Sequence, residues 1–185
     1  SSFQSNAYLG THLIRMFNLL GSVDEANEVF SQLTRPNVYT WNAIIAANAR
    51  HGQGHEALKL YYQMFDMNVE PDDYVFASAL KGCASIGALA DAKVIHHHMT
   101  RTEYESDIVV TTALMDAYAK CGTVEDVARE FELSPKRDPI TWSAAIAGFA
   151  QHGRSEEAMK LYQQMIQANI KPNNIAFVGA LQAIA

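Results

Sequence analysis

The sequence predicts an all-α protein, a solenoid of helix–turn–helix repeats, on three observations. A long stretch returns: residues 40–72, TWNAIIAANARHGQGHEALKLYYQMFDMNVEPD, are matched 101 positions later by residues 141–173, TWSAAIAGFAQHGRSEEAMKLYQQMIQANIKPN. Trp41 and Trp142, Gly52 and Gly153, Ala57 and Ala158, Tyr61 and Tyr162, Met64 and Met165, and Pro71 and Pro172 all keep that offset. Five glycines share one phase, Gly21, Gly52, Gly87, Gly122 and Gly153, with spacings of 31, 35, 35 and 31 residues. Apolar residues recur at i, i+3, i+4 and i+7, while no stretch sustains the alternation of a strand. A fixed period of this length marks stacked supersecondary units whose apolar faces are covered by their neighbours.

Taken in order, residues 1–6 read as the tail of a preceding unit. Units follow at 7–37, 38–72, 73–107, 108–138 and 139–173, and a sixth begins at 174 and runs to 185 as a first helix alone. Within each unit the shared glycine is placed to end the first helix in a left-handed conformation and turn the chain back. The second helix then shows its stripe: Ala26, Val29, Phe30 and Leu33; Ala57, Leu60, Tyr61 and Met64; Ala158, Leu161, Tyr162 and Met165. Ser22 and Glu25 have capping-box spacing at the start of one second helix. Pro36, Pro71, Pro135 and Pro172 lie just past second helices, where proline stops a helix at little cost. Phe30, Phe131, Tyr61, Tyr162, Met64 and Met165 read as packing residues. One second helix departs from its pattern, because Glu130 and Ser134 occupy the places of Val29 or Leu60 and Leu33 or Met64. A carboxylate on a buried stripe is costly, so that helix is expected to be short, rotated or loosely packed.

Composition narrows the function classes. The apolar fraction of 49% and mean hydropathy of −0.10 fit a folded, water-soluble chain. No apolar run approaches the roughly 20 residues that cross a bilayer, so no membrane partner is expected. No signal or transit peptide is visible; the chain opens in the tail of one unit and closes inside another, which reads as a piece of a longer array. Cys83 and Cys121 lack metal-ligand spacing and are expected as reduced thiols near helix ends. The net charge of −6 argues, for the chain as a whole, against nucleic acid, since phosphate contacts need a basic face. His96, His97 and His98 point about 100° apart on a helix and do not converge on one ion. No metal, cofactor or catalytic grouping is expected.

The segments TWNAIIAANARHGQGHEALKLYYQM, FASALKGCASIGALADAK and LMDAYAKCGTVEDVAREF resemble pentatricopeptide repeats. They resemble the plant-type arrays that cycle a standard, a long-variant and a short motif. The units then run short, standard, long, short, standard, with a truncated long unit last. The 31- and 35-residue spacings and the endings Pro71-Asp72 and Pro172-Asn173 set the chain apart from tetratricopeptide repeats. The resemblance implies a right-handed superhelix binding single-stranded RNA, one base per repeat. It implies base recognition by the fifth and last residues of each repeat: Thr11 with Asn37 for adenine, Asn42 with Asp72 for uracil, Thr112 with Asp138 for guanine, and Ser143 with Asn173 for adenine. The long unit carries Ala77 and Asp107 and is assigned no base, so the implied site is 5′-A-U-N-G-A-3′. Second residues would sandwich the bases: Tyr8, Tyr39, Tyr74, Val109, Ile140 and Ile175. Arg50 and Lys120 are implied phosphate contacts, with Arg15 and Lys81 one turn earlier on the helical face of the fifth residue. The eight polar residues have a second reading, because Ser, Thr, Asn and Asp at these places are ordinary helix caps.

Longer members of this class often end in a zinc cytidine-deaminase domain, whose H-x-E and P-C-x-x-C motifs are missing from this chain. The resemblance therefore implies a non-catalytic RNA-binding module of a mitochondrial or chloroplast RNA-processing or C-to-U editing factor. Further partners would be RNA-editing accessory proteins, and exposed ends of the array could self-associate. The alternative function is a protein–protein interaction scaffold.

Overall fold

The computed structural model describes residues 6–134 and 137–184. Eleven α-helices and no strand occur among them: α1 (Ala7–Leu20), α2 (Val23–Ser31), α3 (Val38–Arg50), α4 (Gly54–Asp66), α5 (Asp73–Ile86), α6 (Leu89–Met99), α7 (Ile108–Cys121), α8 (Val124–Leu133), α9 (Pro139–Gln151), α10 (Ser155–Gln167) and α11 (Asn174–Ile184). A 3-10 turn, Glu103–Ser106, precedes α7. The chain forms two compact units, Ser1–Ile86 and Gly87–Ala185.

In the first unit α3 lies between α1 and α5, while α2 packs on α1 and α3, and α4 on α3 and α5. Each second helix thus seals the seam between two first helices. Ile14, Ile44, Ile45, Tyr61, Met64, Phe76 and Leu80 form its core, fully buried. The second unit repeats the scheme, with α9 between α7 and α11, α8 against α7 and α9, and α10 against α9 and α11. Here Leu114, Met115, Val127, Ile146 and Met165 are buried, and α6 packs on α7. The same ring pair anchors both seams: Trp41 meets Phe30 edge-on at 4.7 Å, and Trp142 meets Phe131 edge-on at 4.7 Å.

The turns follow the glycine phase. All five glycines have positive φ, from 66° to 90°. At Gly21 the geometry is a Schellman turn, with the Gly21 amide donating to Asn18 O and the Ser22 amide to Phe17 O. Asn68 and Asn169, also 101 positions apart, end α4 and α10 with φ of 53° and 57°. Asparagine tolerates this region better than most side chains. Ser22 stands at the start of α2 but makes no side-chain cap bond, contrary to its capping-box spacing. The tight turn leaves its ψ at 68°, away from the extended values at which the side chains of Asn37, Asp107 and Asp138 cap their helices. Pro36, Pro71 and Pro172 follow α2, α4 and α10; Pro135 lies outside the described residues.

The departing helix α8 has 10 residues and stops before Ser134, against 9 in α2 and 13 in α4 and α10, so it is not shortened relative to the second helix of the other 31-residue unit. Glu130 is not turned out to solvent; it stays buried, 3.7 Å from His96 Nε2, and His96 Nδ1 lies 2.8 Å from the Tyr118 hydroxyl. Burial pushes the Glu130 carboxyl above the usual range, and His96 partly opposes the shift. Cys83 and Cys121 form no disulfide; Cys83 is buried in α5 and Cys121 is the last residue of α7.

Candidate nucleic-acid interface

The second residue of each first helix projects outward. In the first unit these are Tyr8, Tyr39 and Tyr74; in the second, Val109, Ile140 and Ile175; all six are between 49% and 74% exposed. A large apolar side chain placed in water at the same step of successive helices is not explained by core packing. It is suited to stacking on planar groups.

Beside each of them lies a capped helix start. The last residues of the preceding units accept backbone amides: Asn37 from Thr40, Asp72 from Val75, Asp107 from Val109 and Val110, Asp138 from Ile140 and Thr141, and Asn173 from Ala176. The N-cap role is real for all of these residues. It engages one side-chain oxygen and fixes the direction of the rest of the group. Burial raises the Asp72 carboxyl, against the bond from the Val75 amide, which lowers it.

The fifth residues differ more. Ser143 is buried, and its hydroxyl reaches both Pro139 O and, at 2.7 Å, Asn173 Oδ1. A hydroxyl has one proton, so the two acceptors share it. Thr11 is buried and lies 2.8 Å from the Thr40 hydroxyl, which in turn lies 3.0 Å from Asn37 Oδ1. The fifth and last residues of two pairs are thus linked, one directly and one through Thr40. Asn42 does not meet Asp72 in this way; its Oδ1 accepts from the Ser78 hydroxyl at 3.1 Å. The Thr112 hydroxyl is enclosed without a hydrogen-bond partner among the described residues. Arg50 and Lys120 are exposed in the last turns of α3 and α7. Lys120 is paired with Asp116 at 2.7 Å, which neutralises part of its charge. Arg15 and Lys81 are exposed as well.

Sequence reasoning passed over Thr40 and Ser78. Thr40 had a signal, since Thr141 recurs 101 positions later and likewise bonds the preceding cap, Asp138. Ser78 carries no such signal, since its counterpart 101 positions later is Gly179.

The model of the PPR repeat family matches residues 36–85 and 137–185, more than half of the chain. A pentatricopeptide repeat-containing protein of Arabidopsis thaliana, named as mitochondrial, is 34% identical over 100% of this chain and 23% of its own length. The Arabidopsis thaliana protein CRR2, named as chloroplastic, is 36% identical over 96% of this chain and 28% of its own. A third relative from the same plant is named as both chloroplastic and mitochondrial, so the relatives' names agree with an organellar setting. The chain spans less than a third of the length of each of these relatives. The crystal structure of the pentatricopeptide repeat protein PPR10 in complex with an 18-nt psaJ RNA element superposes with a TM-score of 0.81 at 20% identity, over 98% of this chain and 28% of the other. That likeness shows the helical-repeat fold. The chain belongs to the pentatricopeptide repeat family.

Proposed function

We propose that this chain is a sequence-selective single-stranded RNA-binding segment of an organelle RNA-processing factor, with C-to-U editing the process it serves. It acts without catalysis, positioning RNA for another domain or for editing accessory proteins. The repeats divide at 7–37, 38–72, 73–107, 108–138 and 139–173, in the order short, standard, long, short, standard. The paired residues Thr11/Asn37, Asn42/Asp72, Thr112/Asp138 and Ser143/Asn173 read 5′-A-U-N-G-A-3′. The observation that carries this reading is the outward side chain at the second residue of each first helix, in either unit. Every member is large, apolar and solvent-facing, and each stands next to a capping Asn or Asp or, at Tyr8, to Asn6. Stacking on such side chains contributes about 1–3 kcal/mol per base, and the polar pairs supply the donors and acceptors that tell bases apart. Relatives with organellar names and a fold shared with an RNA-bound protein support the same reading.

Fluorescence anisotropy with short RNAs containing AUNGA, against RNAs with uracil and guanine exchanged, tests it at two salt concentrations. Preference for the stated order is expected, with log affinity falling about 0.7 per log salt for each phosphate neutralised. Salt-sensitive binding without preference would discard the base assignments. Binding of a peptide in place of RNA would turn the reading to a protein scaffold.

A further inference from the structure

We propose that Ser78 is a specificity-determining positioning residue, holding the Asn42 amide so that a donor and not an acceptor faces the base. The inference rests on the RNA reading above and assigns to it a residue outside the paired positions. A carboxamide carries one acceptor oxygen and two N–H donors. Left free, it can rotate and offer either end, and so cannot by itself separate uracil from cytosine. Here the Ser78 hydroxyl, coming from α5, binds Asn42 Oδ1 at 3.1 Å. Asn42 Nδ2 has no protein partner among the described residues and is not among the sealed, unbonded atoms, so it stays open to a ligand. Asp72 stands at the start of the same α5, its carboxylate an acceptor fixed by the Val75 amide at 2.9 Å. If both groups read one base, a donor from Asn42 and an acceptor from Asp72 match a carbonyl and an N–H, the C4 carbonyl and N3–H of uracil. Cytosine, with an amine at C4 and a bare N3, presents the reverse order.

The chain contains its own controls. At the place of Ser78 the other first helices carry His12, Ala43, Ala113, Ala144 and Gly179. His12 turns back to Tyr8 O in its own helix, and the three alanines and the glycine have no side-chain donor. Gly179 is the 101-residue counterpart of Ser78, and a Cβ there would already meet Ile146 at 3.1 Å and the Ala147 backbone at 3.3 Å. Facing Gly179, the counterpart of Asn42 is Ser143, which turns to Asn173 instead. The hydroxyl therefore occurs at the one fifth residue that is an amide with two faces to choose between.

The test uses the 185-residue chain as wild type, Ser78→Ala and Ser78→Thr, with AUNGA RNAs and their counterparts carrying cytosine at the second position. The uracil-to-cytosine affinity ratio should fall about fivefold in Ser78→Ala, one hydrogen bond's worth of about 1 kcal/mol. It should recover in Ser78→Thr, with unchanged melting temperatures. A wild type that prefers uracil and a Ser78→Ala variant with the same ratio would overturn the inference and leave the RNA reading standing. If wild type shows no preference, the base assignment fails. Nitrogen-15 relaxation of the Asn42 carboxamide in the free chain then decides the hold itself: ordered in wild type and mobile in Ser78→Ala supports it, and equal mobility in both overturns it.

Discussion

Residues 40–72 and 141–173 are two castings of one design, and what they share differs in kind from what they do not. The ring pairs Phe30–Trp41 and Phe131–Trp142 have the same 4.7 Å separation. Thr40 and Thr141 are both fully buried and both bond the preceding cap. The left-handed residues, Gly52 with Gly153 and Asn68 with Asn169, coincide. Yet the outward second residue is Tyr39 in one and Ile140 in the other, and the fifth is Asn42 bonded to Ser78 or Ser143 bonded to Asn173. Packing and backbone conformation constrain the first group, while the second varies without disturbing the frame. A repeat of this kind separates the residues that hold a position from those that use it.

The largest test of the shared frame is Trp41→Ala against Trp142→Ala. Each should lose about 3–5 kcal/mol of stability in chemical denaturation. Losses differing by more than that spread would break the equivalence. The outward pair should behave oppositely. Tyr39→Ala should weaken RNA binding by about 1–3 kcal/mol and Ile140→Ala by clearly less, since an aliphatic side chain covers a base without ring stacking. Neither should move the melting temperature much, because both side chains face water. Equal losses in anisotropy titrations would remove the distinction between aromatic and aliphatic positions. Next come Gly52→Ala and Gly153→Ala. No atom lies within 4 Å of the added Cβ in either, so each should cost only the left-handed backbone penalty of about 1–2 kcal/mol, and the two should agree.

The smallest test sharpens the comparison where the core itself differs. Glu130 is the 101-residue counterpart of Val29. Its carboxyl is raised, mainly by burial, so between its ordinary and raised values the folded state holds more protons than the unfolded one. Stability then falls as pH rises through that window. Glu130→Gln should lift the melting temperature at neutral pH by less than about 1 kcal/mol equivalent, with the gain vanishing in acid. A loss at neutral pH would mean that the ionised carboxylate is held by His96.

Much of this frame could be read from the chain. The glycine phase located the turns because a left-handed residue is a local, residue-specific demand. The apolar stripes located the buried faces of α4 and α10. Glu130 is legible as a misfit on its stripe, but nothing in the sequence joins it to His96; they meet because α6 and α8 both pack on α7. Ser22 and Glu25 had the right spacing for a capping box, and the Schellman turn before them set the backbone against it. At the candidate interface the residue types and their phase were legible. Their hydrogen bonds were not, because Asn42 Oδ1 accepts from a side chain 36 positions away.

One contact carries a mechanical meaning. A Cβ at Gly54 would fall 2.6 Å from Gly82 O, so the start of α4 already touches the backbone of α5. The two helices have a hard stop against compression, whereas separating them strains only softer side-chain contacts. Pulled along its length, this seam should yield; pushed, it should not.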